Sequence, residues 1–124
     1  MNMEKLPRFY AAIVLCFPID APQKELAAIL GDYCSFKCYD REKNLVVTVC
    51  EVDDVFCWEV SEVLSSLFAL CDLECIKSAV SRYNGSVFID ISFVHYDKYP
   101  ALIFDGKVMQ TIHELQASIG IDPY

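Results

Sequence analysis

The sequence predicts an α+β fold, in which a single domain spans residues 1–124 and packs its helices on one face of an antiparallel or mixed sheet. Three observations support this prediction. A chain of 124 residues is long enough for one hydrophobic core and too short for two ordinary domains. Hydrophobic residues make up 55% of it, which supplies the apolar surface that a core needs. Segments with strand-like and helix-like periodicity alternate along the chain.

The first strand and the first helix have the clearest signals. Residues 9–17 are continuously apolar and rich in β-branched and aromatic side chains, which is typical of a central strand covered on both faces. Pro18 ends this strand. Asp20 and Pro22 then predict the start of a helix, and Gly31 predicts its end.

A β-hairpin is predicted next. Residues 33–39 alternate between apolar and polar side chains, which indicates a half-exposed strand. Residues 41–44 form a polar turn, and residues 45–52 are rich in β-branched side chains. We therefore expect residues 45–52 to return antiparallel to residues 33–39.

A long amphipathic helix is predicted over residues 55–71. Asp53 and Asp54 supply an N-cap and the negative charge that favours a helix N-terminus. Apolar residues recur at helical spacing on one face, and Trp58 falls on the opposite face beside Glu62. Because core packing does not account for a tryptophan on the polar face, Trp58 becomes a candidate binding residue.

A second hairpin is predicted over residues 75–83 and 86–95. These segments flank Asn84-Gly85, a dipeptide that suits a two-residue turn. The register leaves Phe88 outward together with Asp90 and Ser92, so we expect one face of the sheet to be open and partly polar.

The chain is predicted to close with a short strand over residues 101–104 and a helix over residues 107–118 that Gly120 ends. The complete predicted order is βαββαββ(β)α. Its first six elements match the split βαβ, or ferredoxin-like, arrangement.

The charge of the chain favours a protein partner over nucleic acid. Eighteen acidic residues against 10 basic ones give a formal net charge of −8, whereas phosphate contacts require clustered Lys and Arg. Residues 9–17 are too few to span a membrane, and no signal-peptide pattern is present. Seven cysteines, an odd number, fit a reducing compartment. We therefore expect a cytoplasmic protein with a basic protein partner and no membrane partner.

The sequence carries no catalytic signature, and we predict no catalytic residue, metal site or cofactor. Cys34 and Cys38 share an apolar face, where thiols act as small hydrophobes. The four glycines are isolated, so no phosphate-binding loop is present. An enzyme that uses a cysteine nucleophile remains an open alternative.

Two surfaces are candidates for the partner. In the first, Trp58 anchors the contact and carboxylates surround it; the predicted partner-binding residues are Trp58, Glu59, Glu62, Asp53, Asp54 and Asp72. The alternative for Trp58 is burial under the C-terminal segment. The second surface is the open sheet face with Tyr33, Tyr39, Phe88 and Asp90, which could instead be covered by the last helix or form a homodimer.

The C-terminal segment is the part of the sequence that resembles a known class of proteins. Residues 102–106 read Leu-Ile-Phe-Asp-Gly, a helix follows, and the segment Ile-Gly-Ile-Asp-Pro-Tyr closes the chain at residue 124. With the small size and strong acidity, this resembles bacterial toxin-immunity proteins of the contact-dependent growth inhibition and polymorphic toxin class. The resemblance implies that the protein binds a cognate toxin, a nuclease with a basic cleft, and blocks it. The alternative is a dimeric ligand-sensing regulatory module of ferredoxin-like type.

Overall fold

Five strands and four helices form in the part of the chain that the computed structural model describes, residues 5–31, 34–39, 43–95 and 97–123. In chain order they are β1 (Arg8–Pro18), α1 (Gln23–Leu30), β2 (Ser35–Tyr39), β3 (Asn44–Phe56), α2 (Val60–Ala69), α3 (Leu73–Arg82), β4 (Ser86–Val94), α4 (Gly106–Leu115) and β5 (Ser118–Pro123). This is the α+β class that the sequence predicts, but the element order reads βαββααβαβ.

The strands form one mixed sheet in the order β2-β3-β1-β4-β5. β1 pairs antiparallel with β3 on one side and with β4 on the other, and β2 pairs antiparallel with β3. The last strand, β5, lies parallel to β4 at one edge. The apolar run of residues 9–17 is therefore the central strand, as predicted.

The hydrophobic core lies on one face of the sheet, between the sheet and the helices. Successive side chains of a strand point to opposite faces, and on β1 the side chains of Phe9, Ile13, Leu15 and Phe17 are at most 1% exposed. They pack with buried residues from every helix: Leu26, Leu30, Val60, Val63, Leu64, Leu67, Ile76, Ala79, Val108 and Leu115. The four helices thus share one face of the sheet.

The opposite face of the sheet carries no helix in the part of the chain that the structure describes. On β1, Tyr10 and Val14 point to this face and are only half-buried. On β4, Phe88 is 40% exposed, and Asp90 and Ser92 lie on the same face. The prediction that these three β4 residues face outward is confirmed, whereas the prediction that the first strand is covered on both faces is wrong.

The predicted helix over residues 55–71 begins later than expected. β3 runs to Phe56, because its last residues pair with the start of β1: Phe9 pairs with Val55, and Arg8 pairs with Phe56. Asp53 and Asp54 therefore lie within a strand and do not cap a helix. Two register shifts along this pair and a positive φ of 54° at Asp54 accompany the irregular strand end.

The segment predicted as a strand over residues 75–83 is the helix α3. Asp72 caps it by accepting a hydrogen bond from the backbone N–H of Cys75 at 3.2 Å. Asn84 has a left-handed φ of 57°, and the N–H of Gly85 donates to the Val80 carbonyl at 2.9 Å. Asn84-Gly85 thus ends a helix in a Schellman-type motif and makes no hairpin, so β4 pairs with β1 instead.

The C-terminal part also departs from the prediction. The last helix, α4, ends at Leu115, and Gly120 lies inside β5, a strand that the sequence did not predict. Within residues 101–104, Ala101 forms an isolated bridge with Glu59 and no named strand forms. The predicted element order βαββαββ(β)α is therefore wrong at its sixth, eighth and ninth positions. Predictions for Tyr33 and for residues 41–42 of the first turn lie outside the described residues.

Candidate functional site

Trp58 lies in the connection between β3 and α2, not on a helix. Its carbonyl accepts a hydrogen bond from the backbone N–H of Ala101 at 2.7 Å, and the N–H of Val60 donates to the Ala101 carbonyl at 3.1 Å. The side chain of Trp58 is half-buried. The structure thus places the indole between the two alternatives that the sequence left open, since it is neither in the core nor fully exposed.

Apolar side chains are exposed in the two segments that meet at Trp58. Phe56 is 55% exposed, and Leu102 and Ile103 are also exposed. The hydroxyl of Ser61 holds the segments together, because it donates to the Ile103 carbonyl at 2.6 Å and accepts from the N–H of Asp105 at 2.8 Å. We call the residues Phe56, Trp58, Leu102 and Ile103 the Trp58 patch.

Four of the five predicted acidic residues lie in the same short segment as Trp58. Asp53, Asp54, Glu59 and Glu62 are all exposed. The guanidinium of Arg8 lies 3.7 Å from the Asp54 carboxylate, and this exposed pair is weak because water screens it. These four carboxylates precede and follow Phe56 and Trp58 along the chain.

The fifth predicted acidic residue, Asp72, lies elsewhere. The helix α2 separates it from Trp58, and at 1.5 Å per residue this helix is about 15 Å long. Hydrogen bonds from the side chain and the backbone N–H of Cys75 lower the pKa of Asp72. Asp72 therefore serves as a helix cap, and the structure does not bring it to the other predicted residues.

Cys57 lies directly before Trp58 and is buried. Burial, together with a hydrogen bond to the Glu62 side chain, raises the pKa of this thiol to about 11. Burial likewise raises the pKa of Cys71. At neutral pH these thiols are protonated, which is unfavourable for a nucleophile because the thiolate is the reactive form.

The open face of the sheet brings together acidic residues that the sequence analysis did not group. The hydroxyl of Tyr10 donates to the Glu51 carboxylate at 3.0 Å. The pKa of Tyr10 is raised to about 12. The largest cause is burial, and the hydrogen bond with Glu51 and the negative charges of Glu51, Asp90 and Asp53 act in the same direction. Tyr10 thus lies among three carboxylates on β3 and β4.

Asp90 and Asp122 extend this acidic group towards the sheet edge. Asp90 pairs with Ala12 on one side and with Gly120 on the other, and Asp122 lies two residues further along β5. Burial and the charge of Asp122 raise the pKa of Asp90. Of this acidic group, Asp90 is the residue that the sequence predicts on the open sheet face. Glu51 and Asp122 were missed, because their facing depends on a bulge in β3 and on an unpredicted strand.

Several of the cavities have ionisable side chains in their lining, and the one of about 220 Å³ is lined by Cys71, Asp72 and Cys75 among others. One cavity of about 430 Å³ between α3 and α4 is lined by Lys77 and Glu114, whose charged groups pair with each other at 3.3 Å. Within residues 5–31, 34–39, 43–95 and 97–123, no three His, Cys, Asp or Glu side chains are arranged to hold a metal ion. In the same ranges, no helix is long and apolar enough to cross a membrane.

Comparisons of the chain with models of protein families, with curated proteins and with solved structures found no match.

Proposed function

We propose that this chain is an immunity protein, which binds a cognate toxin through an acidic surface and blocks it without chemical turnover. The observation that carries the proposal is the arrangement of four exposed carboxylates, Asp53, Asp54, Glu59 and Glu62, along the segment that contains Phe56 and Trp58. Large aromatic groups supply contact area at protein interfaces, and surrounding charges orient the partner. The partner that fits is a basic protein domain.

The net charge of −8 supports the same proposal at longer range. A nuclease holds its substrate in a cationic cleft, and an acidic inhibitor competes for that cleft by offering carboxylates where phosphates would bind. Occupation of the cleft is sufficient for protection. This function requires neither a cofactor nor a nucleophile, and we expect the protein to work in the cytoplasm of the cell that makes the toxin.

The direct test takes a candidate toxin domain, encoded by a reading frame next to that of this chain, and expresses it with and without the chain. Protection of growth and a stoichiometric complex of the two purified proteins would support the proposal. Undiminished toxicity during co-expression, with no complex on size-exclusion chromatography, would refute it.

We predict that Trp58→Ala weakens this complex at least about tenfold, because a half-buried indole at an interface contributes more than most contact residues. Isothermal titration calorimetry measures the change. Leu70→Ala is the matched control, since Leu70 is 63% exposed at the far end of α2 and its truncation should leave the affinity unchanged. Equal affinities of the Trp58→Ala variant and the unmodified protein would remove Trp58 from the interface.

The second candidate is a dimeric ligand-sensing module with a ferredoxin-like core. The strand arrangement supports it, because β1 and β2 are joined through α1 while β3 lies between them, as in a split βαβ unit. A ligand that binds only the folded protein raises the melting temperature by mass action. Stabilisation by an amino acid or a related small molecule, together with a dimeric mass, would favour this candidate over the immunity protein.

A further inference from the structure

The uncovered face of the sheet combines an apolar stripe with an acidic row. Val14 on β1 pairs with Phe88 on β4, and both side chains point away from the helices. Two residues further along both strands, and so on the same face, Asp90 on β4 lies beside Ala12 on β1, and Ala12 lies beside Glu51 on β3. With strands about 4.8 Å apart, the backbones at Asp90 and Glu51 are about 10 Å apart. We call Tyr10, Val14, Glu51, Phe88, Asp90 and Asp122 the sheet face.

The charged residues at the centre of this face are acidic, whereas Arg8 on β1 and Lys37 on β2 point to the same face from its margins. Glu51, Asp90 and Asp122 are acidic, and Asp53 is close enough to Tyr10 to act on its ionisation. Burial and the neighbouring carboxylate of Asp122 both disfavour the charged form of Asp90. A positively charged group of a partner would relieve this repulsion. It would also compensate for the water that these carboxylates lose when the partner covers them.

We propose that the sheet face is a docking surface for a cationic protein segment, whose arginine or lysine side chains meet Glu51, Asp90 and Asp122 while its apolar side chains cover Val14 and Phe88. The proposal rests on the proposed function in one respect, since it assumes a basic protein partner. It assigns that partner a second contact surface, distinct from the Trp58 patch.

Charge complementarity favours this occupant over a second copy of the chain. In a two-fold dimer whose axis passes through the acidic row, the carboxylates of the two copies would approach each other, and like charges brought together at an interface are unfavourable. A nucleic acid or an anionic lipid surface would meet the same repulsion. An apolar peptide without cations would cover Val14 and Phe88 but leave the acidic row without a partner.

The test uses a short helical peptide that carries arginine and leucine on one face. Binding to the ¹⁵N-labelled protein is followed by NMR, which locates the contact, and by calorimetry, which measures it. We expect the largest shifts at the amides of Ala12, Asp90 and Gly120, which lie side by side in the sheet. The same peptide with glutamine in place of arginine should not bind.

Two triple variants with the same change in net charge separate local contacts from long-range attraction. We expect Glu51→Gln, Asp90→Asn and Asp122→Asn together to weaken peptide binding about tenfold or more. Asp54→Asn, Glu59→Gln and Glu62→Gln together, along the Trp58 patch, should change it far less. Unaltered backbone NMR spectra away from the substitutions confirm that each variant keeps the fold. Equal losses of peptide affinity in the two triple variants would overturn the proposal.

A third variant tests the apolar stripe. Phe88→Ser should weaken binding of the peptide, whereas Met109→Ser, at an exposed apolar position on α4 on the other side of the sheet, should not. A dimer of the unmodified protein that Phe88→Ser dissociates would assign the face to a second copy and overturn the proposal. Toxin binding that depends on Trp58 but tolerates every sheet-face substitution would refute this inference alone. Failure of the chain to bind the toxin at all would refute the proposed function.

Discussion

Asp90 lies in the middle of the acidic row, between Ala12 on the central strand and Gly120 on the edge strand. Its pKa in the folded protein is raised above the ordinary value of 3.8 by burial and by Asp122. The folded state therefore disfavours the ionised carboxylate relative to the unfolded chain. Above the unfolded pKa this difference lowers stability, and below it both states are protonated and the difference vanishes.

We predict that Asp90→Asn increases the free energy of unfolding at pH 7, by less than about 1 kcal/mol because solvent screens part of the charge. Urea denaturation at pH 7 and at pH 3 measures the effect, and the gain should disappear at the lower pH. Asp97→Asn, at an exposed residue outside the sheet, is the control. A gain of the same size at pH 3 would show that the charge of Asp90 is not its cause.

Cysteine residues illustrate how far residue types alone predict placement. Cys34 and Cys38 were both expected in the core because they alternate with Phe36. Cys34 is buried, but Cys38 is exposed at the end of the edge strand β2, where Gln23 donates to its sulfur at 3.4 Å. Alternation predicts which face a side chain occupies, and the extent of burial depends on what the helices reach.

At the scale of the elements, Gly85 connects α3 to β4 under the ring of Phe17. A Cβ built at Gly85 would lie 2.7 Å from Phe17 Cδ1, and Phe17 is only 1% exposed. The ring has no space into which it can move, so the clash must shift the helix end or the strand.

We predict that Gly85→Ala lowers the free energy of unfolding by about 1–3 kcal/mol, the usual cost of overpacking a core. Gly106→Ala is the control, because nothing lies within 4 Å of a Cβ at that position in the first turn of α4. Alanine there should be neutral or stabilising by up to about 1 kcal/mol. Thermal or urea denaturation compares the two, and equal stabilities would contradict the described packing of Phe17.

Elements with a self-contained signal were predictable from the sequence. The helix α1 and the strand β4 lie within two residues of their expected bounds, because proline, glycine and periodicity mark them locally. For the helix expected over residues 55–71, the predicted start is too early, because residues 55 and 56 pair with β1 and this pairing outweighs their helical periodicity. Asn84-Gly85 was misinterpreted because a left-handed residue followed by glycine suits both a hairpin and a helix end.

At the scale of the whole molecule, the net charge of −8 determines how a basic partner approaches. Attraction between opposite net charges accelerates association, and salt screens it over about 10 Å at 0.1 M.

We therefore predict that the association rate of the proposed toxin complex falls steeply as salt is raised, while the dissociation rate changes little. Stopped-flow measurements of Trp58 fluorescence can follow this, because the chain has one tryptophan. The triple variant of Glu51, Asp90 and Asp122 should show a shallower salt dependence. An association rate that is independent of salt would exclude electrostatic steering.

The two candidate surfaces differ in how far the sequence could predict them. The Trp58 patch was partly predictable, because an unexplained tryptophan beside carboxylates is visible in the residue order. The sheet face joins residues from three strands that are distant in the chain, and the facing of Glu51 depends on a register shift between β1 and β3. Such a surface follows only from the pairing of strands.

The central position of β1 has a consequence for biosynthesis. Arg8–Pro18 leaves the ribosome before the other strands described here, yet one of its two neighbours, Ser86–Val94, lies about 70 residues later in the chain. Until then one edge of the most apolar strand can pair with other nascent chains, which is a route to aggregation. Successful production of this protein should therefore depend on chaperones that shield β1 until β4 has been synthesised.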